Sequence, residues 1–227
     1  KSLSSAVPRV DWIVNASPWP LPAWPEIILI RHGETLWNRE GRFQGWRDSP
    51  LTLQGVAQMT AIGRRLRELF GSRLAEFALV ASPLPRAWQS AVLLAEVAGL
   101  DPLQIRLAPL VREISWGRWD GLTAAEIEAL DPELWQQRLA DAFTHAPPNG
   151  GESRLAVLER ARRWLLSLPE GARVLLVTHG TFGRALRCAY LGLAPEAMLA
   201  MQAPQTSFFY LREGREEQID LGERADA

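Results

Sequence analysis

Two of the three histidines in this chain stand in the same local pattern, between an apolar run and a glycine. Residues 27–33 read Ile-Ile-Leu-Ile-Arg-His-Gly, and residues 174–180 read Val-Leu-Leu-Val-Thr-His-Gly. A short apolar run rich in β-branched residues is typical of a strand that is covered on both faces, as in a parallel sheet. The carboxyl ends of parallel strands meet at one edge, where open α/β sheets bind ligands. We therefore expect His32 and His179 to face one crevice.

The charged residues near these runs suit the chemistry of a phosphoryl group. Arg31 and the two imidazoles can donate to oxygens that share negative charge, and Asn38 is a plausible further donor. A second arginine, Arg86, follows the next apolar run, and Glu113 in a glycine-rich loop is a candidate acid for a leaving oxygen. Taken alone, Arg86 reads equally well as a solvated helix side chain. Glu113 reads equally well as the ion-pair partner of a neighbouring arginine.

A metal centre is a weaker interpretation of the same histidines. The single cysteine, Cys188, and the third histidine, His145, supply no third ligand at a recognisable spacing. The positive charge of Arg31 beside His32 also disfavours a bound cation. We expect no metal ion and no cofactor.

The composition is that of one ordinary α/β domain. The chain has 227 residues, of which 47% are hydrophobic and 22% are charged, and its formal net charge is -1. This charge gives no reason to expect nucleic acid or an anionic membrane as a partner. A single cysteine excludes an intramolecular disulfide, and no segment approaches the ~20 apolar residues that span a bilayer. We expect a cytoplasmic protein.

Strands and helices alternate along residues 26–227, which predicts βαβ units and a single domain. The predicted fold class is α/β, a three-layer α/β/α sandwich with a mostly parallel central sheet. We expect strands at 27–30, 77–81, 104–107, 174–177, 207–211 and 218–221, the last two forming an edge hairpin around Gly214. We expect helices at 52–70, 83–98, 123–130, 132–142 and 153–168, with one more after His179.

Residues 1–25 form a separate segment dense in proline and tryptophan. Proline at this density precludes a regular helix, so we expect an extended arm with a short strand at residues 10–14. The arm packs on the domain or is a mobile tail. It covers the pocket or mediates contacts in a homodimer, and the sequence does not choose between these alternatives.

Beyond these general patterns, the chain resembles the histidine phosphatase superfamily, the phosphoglycerate mutase-like proteins. The matches occur in the right order over roughly residues 26–190, so the resemblance is specific, and it implies the phosphoglycerate mutase-like fold. The motifs that carry it are Arg31-His32-Gly33-Glu34-Thr35, Asn38, Phe43-Gln44-Gly45-Trp46, residues 48–55, 82–90 and 113–121, Gly150-Gly151-Glu152-Ser153 and Thr178-His179-Gly180.

The resemblance implies a role for each matching residue. His32 would be the nucleophile that forms a phosphohistidine, and its other nitrogen should donate to a fixed acceptor so that the ring attacks in its neutral form. Glu113 would protonate the leaving oxygen and then activate water, helped by partial desolvation from Trp116 or Trp119. His32, Glu113, His179, Arg31 and Arg86 are the predicted catalytic residues. The substrate would be bound by Arg31, Asn38, Gln44, Gly45, Arg86, His179 and Gly180.

The resemblance leaves open which reaction follows the phosphoenzyme. Phosphoglycerate mutases of this family carry an insertion between the acid and the second histidine, and the segment from Glu113 to His179 looks too short for it. Residues 117–121 also look like the phosphatase pattern. We therefore predict a metal-independent phosphomonoesterase that takes a small-molecule phosphate ester and releases inorganic phosphate.

Three other readings remain. The first is phosphotransfer of the phosphoglycerate mutase type. The second is a phosphohistidine phosphatase that acts on proteins, although such relatives tend to be shorter than this chain. The third is a non-catalytic phosphate- or phosphoprotein-binding module, which would be expected to lack His32 or Glu113.

Overall fold

The computed structural model describes residues 24–221, so the strand expected at residues 10–14 lies outside the described part of the chain. Six strands form one sheet in the order β3-β2-β4-β1-β5-β6. Their bounds are β1 Glu26–Arg31, β2 Ala78–Ala81, β3 Arg106–Leu107, β4 Arg173–Thr178, β5 Ser207–Arg212 and β6 Arg215–Asp220.

Eight α-helices connect or flank these strands within the described residues. Their bounds are α1 Leu36–Arg39, α2 Leu53–Phe70, α3 Pro85–Ala98, α4 Ala124–Leu130, α5 Pro132–Ala140, α6 Arg154–Leu166, α7 Gly180–Tyr190 and α8 Ala197–Ala200. Between residues 24 and 221, no helix combines the length and the apolar character that crossing a membrane requires.

Alternating side chains of the central strands build a core on each face of the sheet. Ile28 and Ile30 of β1 lie in a cluster with α2 and α3. Ile27 and Leu29 lie in a second cluster with α6 and α7. Burying each such side chain contributes roughly 1.5 to 3 kcal/mol, which explains why both faces of β1 are apolar. The predicted three-layer α/β/α sandwich is confirmed.

The two strands that precede His32 and His179 are direct neighbours. β1 and β4 pair in parallel, with Arg31 opposite Thr178. The two histidines therefore leave adjacent strands at the same edge. β5 pairs antiparallel with β1 and forms the predicted hairpin with β6 around Glu213 and Gly214, which both have positive φ.

Several predicted boundaries differ from the structure. The helix after β2 begins at Pro85 and not at Pro83, because Ser82 Oγ accepts from the Leu84 amide and bonds His179 instead of capping the helix. β3 is only two residues long, because Pro102–Gln104 forms a 3-10 turn. α5 and α6 each end two residues before the predicted limit, and α1 and α8 are not among the predicted helices.

Candidate active site

His32 ends β1 and is almost fully buried, with 2% of its surface exposed. Its Nδ1 lies 2.8 Å from the carbonyl oxygen of Gly33, which can only accept, so Nδ1 carries the proton. Nε2 is then left with a lone pair. Burial and the positive charges of Arg86 and Arg31 hold the pKa of His32 well below its ordinary value. The ring is therefore neutral, with Nε2 as its basic atom.

The turn after His32 is held by a close backbone approach. The Gly33 amide donates to Ser90 Oγ at 3.0 Å. A Cβ atom at Gly33 would lie 2.5 Å from the carbonyl oxygen of Gly55 in α2, so only glycine fits. The contact with Gly55 explains why a glycine must follow the histidine, and the bond to Ser90 ties this turn to α3.

His179 leaves β4 next to His32, and the two ring centroids are 5.2 Å apart. Its Nε2 lies 2.7 Å from Ser82 Oγ, at the end of β2. Burial, together with Arg86 and His32, lowers the pKa of His179 well below its ordinary value. Two neutral imidazoles thus lie side by side at the carboxyl edge of the sheet.

Arg86 lies in the first turn of α3 and is 1% exposed, so it is not a solvated side chain. Its guanidinium donates to Asp48 Oδ1 at 3.0 Å and to the carbonyl oxygen of Gly45 at 2.8 Å. Its Nε–H faces Nε2 of His32 at 3.3 Å. These contacts orient the guanidinium against the candidate nucleophile.

Arg31 approaches the same place from β1. Its Nη1 donates to the carbonyl oxygen of Ala203 at 2.7 Å. A Cβ atom at Gly180 would make an ordinary contact with the guanidinium carbon, at 3.5 Å, so Arg31 reaches the start of α7. Burial lowers the pKa of Arg31, and the nearby Glu113 carboxylate opposes that shift.

Glu113 is held by the first turn of α7. Its Oε1 accepts from the amides of Ile114 at 2.9 Å and of Thr181 and Phe182 at 3.1 Å each. Its Oε2 accepts only from the Thr181 amide, at 3.1 Å, among the described residues. The amides can only donate, so Oε2 is the oxygen with room for a proton.

The surroundings of Glu113 differ in part from those predicted. Trp116 lines the cavity that contains Glu113. Trp119 is instead buried in the core, where its indole nitrogen donates to Asp131. Arg118 also pairs with Asp131, and Arg112 donates to the carbonyl oxygen of Pro109, so neither forms an ion pair with Glu113 in the described chain.

Arg160 of α6 fixes the loop that carries Glu113, a role that sequence reasoning missed. Its guanidinium donates to the carbonyl oxygens of Leu110, Arg112 and Glu113 at 2.6 to 3.2 Å. It also pairs with Glu152 at 2.8 Å. A buried cation thus ties the acid-bearing loop to the body of the domain.

The remaining predicted residues lie around the same space. Asn38 Oδ1 accepts from the Thr35 amide and from Gln205 Nε2, which leaves the Asn38 amide nitrogen to donate into the cavity. Gln44 is buried at the cavity wall. Gly45 has a φ of 53°, and a Cβ atom there would overlap Asp120, so only glycine suits this position.

One cavity of about 200 Å³ brings together eight of the predicted site residues: Arg31, His32, Asn38, Gln44, Gly45, Arg86, Glu113 and Gly180. His179 lies behind this cavity, where it lines a separate space of about 10 Å³ with Arg31. The cavity also contains Arg42, Arg154, Thr181 and Arg184, which sequence reasoning missed. Thr181 and Arg184 could have been predicted from the sequence, because they follow Gly180 within one helical turn.

Residues 27–221 match the family described as "Histidine phosphatase superfamily (branch 1)". The probable phosphoglycerate mutase GpmB of Erwinia tasmaniensis is 35% identical over 180 residues, which cover 76% of this chain and 77% of the relative.

Two solved structures show the same architecture. A mycobacterial glucosyl-3-phosphoglycerate phosphatase is 34% identical, with a TM-score of 0.66, over 82% of this chain and 90% of its own. The alpha-ribazole phosphatase of Shigella flexneri is 26% identical, with a TM-score of 0.73, over 89% of this chain and 98% of its own. On its sequence, its fold and its match across residues 27–221, this chain belongs to branch 1 of the histidine phosphatase superfamily.

Proposed function

We propose that this chain is a metal-independent phosphomonoesterase that hydrolyses a small phosphorylated metabolite through a phosphohistidine on His32. One observation carries the proposal. The unprotonated Nε2 of a buried, neutral His32 faces a cavity that it shares with Arg31, Arg86 and Glu113. A nucleophile, two fixed cations and an acid are the groups that transfer of a phosphoryl group through a covalent intermediate needs.

In the first step, Nε2 of His32 attacks phosphorus while the bond from phosphorus to the ester oxygen breaks. Arg31 and Arg86 line the cavity and donate to the phosphoryl oxygens, whose charge they stabilise. His179, whose ring lies beside His32, donates through Nδ1, which has no partner within residues 24–221. Glu113 transfers the proton on Oε2 to the leaving oxygen, so that an alcohol departs. The ring gains positive charge as it is phosphorylated, and the hydrogen bond from Nδ1 to Gly33 stabilises that charge.

In the second step, water replaces the alcohol in the cavity. Glu113 accepts a proton from the water as its oxygen attacks phosphorus, and the bond from phosphorus to Nε2 breaks. Inorganic phosphate is released, and His32 returns to its neutral form. The arginines supply the positive charge that magnesium supplies in kinases, so we expect turnover in the presence of EDTA.

A mutase is the second candidate, because the relative from Erwinia tasmaniensis is named a probable phosphoglycerate mutase. Mutase activity requires the phosphoenzyme to meet a second hydroxyl and not water. Phosphoglycerate mutases of this family hold the substrate carboxylate with extra arginines between the acid and the second histidine. In this chain residues 114–178 would have to supply those arginines. Of the arginines in that segment, Arg154 lines the cavity, whereas Arg118 is paired with Asp131 away from it. The short segment from Glu113 to His179, in which Arg154 is the one described arginine that lines the cavity, supports hydrolysis.

The experiment that tests the proposal is an assay of inorganic phosphate release from a panel of metabolite phosphomonoesters in EDTA. The panel includes 3-phosphoglycerate with and without bisphosphoglycerate. Release from one group of esters supports the phosphatase and defines its substrate class. Interconversion of phosphoglycerates faster than phosphate release overturns it in favour of the mutase. No reaction in either assay favours a non-catalytic binding module.

A further inference from the structure

The cavity holds more positive charge than a phosphoryl group requires. Five arginines line it, and Glu113 is the one acidic residue among its described lining. Arg31 and Arg86 flank His32. Arg42 is already neutralised, because it pairs with both Glu40 and Glu126 at 2.6 Å. Arg154 and Arg184 are the two remaining arginines of the cavity lining.

Neither of these two arginines has an acidic partner within residues 24–221. Arg184 donates through Nε to the carbonyl oxygen of Gly180, one helical turn earlier, at 3.1 Å. Arg154 reaches the carbonyl oxygen of Ala142 at the long distance of 3.4 Å. Both side chains are half-buried, and both face the cavity. Their guanidinium groups therefore retain donors that point to no protein acceptor in the described chain.

The two groups are close enough to repel one another and Arg31. Burial lowers the pKa of Arg154, and the charge of Arg184 lowers it further. Arg184 acts in the same direction on Arg31. Like charges that are held together in a half-buried cavity raise the free energy of the folded state unless an anion joins them.

The position of Arg184 relative to Glu113 indicates which part of a substrate it would meet. The Thr181 amide donates to Glu113, and Arg184 lies three residues further along α7, on the same face of the helix. Under the proposed function, on which this step rests, Glu113 protonates the leaving oxygen. Arg184 therefore lies on the side of the leaving group.

We propose that Arg154 and Arg184 form a second anion subsite, which binds a carboxylate or a second phosphate on the leaving group of the substrate. The enzyme would then discriminate between esters by the charge of the alcohol that departs. A guanidinium presents two parallel donors to a carboxylate or phosphate, so both arginines suit either anion.

The test compares esters that differ only in the second anion. 3-Phosphoglycerate and glycerol 3-phosphate differ by a carboxylate in place of a hydroxymethyl group. Fructose 1,6-bisphosphate and fructose 6-phosphate differ by a second phosphate. We expect kcat/KM of the wild-type enzyme to favour the more anionic member of at least one pair by about tenfold or more. The pair that shows the preference identifies the anion.

The variant Arg184→Gln should lower kcat/KM for the preferred anionic ester about tenfold more than for its matched partner. Arg154→Gln should act in the same direction, and Arg184→Lys should recover part of the loss because it retains the charge. Arg163→Gln is the matched control, since Arg163 lies exposed on α6 and does not line the cavity. It should leave both members of each pair unaffected, and thermal unfolding would verify that every variant is folded.

Equal kcat/KM values within both pairs of esters would overturn the subsite while leaving the phosphatase intact. Equal losses on both members of a pair in Arg184→Gln would do the same. If the wild-type protein hydrolyses neither these esters nor p-nitrophenyl phosphate, the proposed phosphatase function is wrong. In that case calorimetry would measure the dissociation constants of the same esters. Tighter binding of the more anionic member of a pair would support the subsite, and equal binding in both pairs would overturn it.

Discussion

Nε of Arg86 lies 3.3 Å from Nε2 of His32, the ring nitrogen that carries no proton. The guanidinium that would hold a phosphoryl oxygen is thus in contact with the atom that would attack phosphorus. Arg86 is in turn fixed by Asp48 and by the carbonyl oxygen of Gly45. Placement of the nucleophile therefore depends on a loop that precedes α2.

The variant His32→Ala should abolish turnover, with a loss of at least about a thousandfold, because His32 is the one histidine among the described residues that line the cavity. The domain should remain folded, since the ring lies at the end of β1 against a cavity and not inside either core cluster. The measurement is phosphate release together with circular dichroism. Activity near the wild-type level in a folded variant would remove His32 as the nucleophile.

The variant Glu113→Gln should slow esters with poor leaving groups far more than p-nitrophenyl phosphate, whose leaving group hardly needs an acid. The glutamine oxygen can still accept from the amides of Thr181 and Phe182, so the loop should keep its place. The measurement is kcat for both kinds of ester. Equal losses would show that Glu113 positions the substrate or the loop instead of supplying a proton.

The variant Asp48→Asn should raise KM for phosphate esters by about ten- to a hundredfold, because it removes a charged partner of the Arg86 guanidinium. The inhibition constant of inorganic phosphate should rise in parallel. Asp101→Asn is the matched control, since Asp101 is exposed and distant from the cavity lining. A loss in kcat alone, with unchanged phosphate inhibition, would contradict a role of Asp48 in phosphate binding.

Much of the site could be predicted because its residues lie at the carboxyl ends of parallel strands. His32 and His179 leave adjacent parallel strands, and the pattern of an apolar run, a histidine and a glycine marks both positions. Arg86 lies in the first turn of a helix, which places it at the same edge. Such positions depend on local sequence and on sheet topology, which the alternation of strands and helices determines.

Other contacts could not be predicted, because they depend on tertiary structure. Arg160 lies on the buried face of α6, yet arginine is a residue type expected at the surface. Burial is tolerated there because Glu152 and the carbonyl oxygens of the Glu113 loop satisfy its donors. The environment predicted for Trp119 was wrong for the same reason, since its partner Asp131 lies twelve residues later, at the end of α4.

The stability of the protein should fall as the pH drops below about 6.5, because His32 and His179 are both buried with lowered pKa values. In the unfolded chain each histidine takes up a proton near pH 6.5, whereas the folded protein keeps both rings neutral until its lower pKa is reached. Below pH 6.5 the unfolded state thus binds more protons, and the free energy of unfolding decreases. Above pH 6.5 neither state binds the proton, so this contribution is constant. Each histidine should lower the free energy of unfolding at pH 5.5 by an amount on the order of 1 kcal/mol.

The measurement is urea unfolding at pH 7.5 and at pH 5.5 for the wild-type protein and for His32→Asn and His179→Asn. Each variant lacks one titrating ring, so its stability should fall less between the two pH values than that of the wild type, by an amount on the order of 1 kcal/mol. Titration of the carboxylates is common to all three proteins and cancels in the comparison. If both variants showed the same pH dependence of stability as the wild type, the two rings would accept protons as readily in the folded protein as in the unfolded chain. Neutral His32 would then no longer explain its nucleophilicity, since a ring protonated at Nε2 has no lone pair for phosphorus.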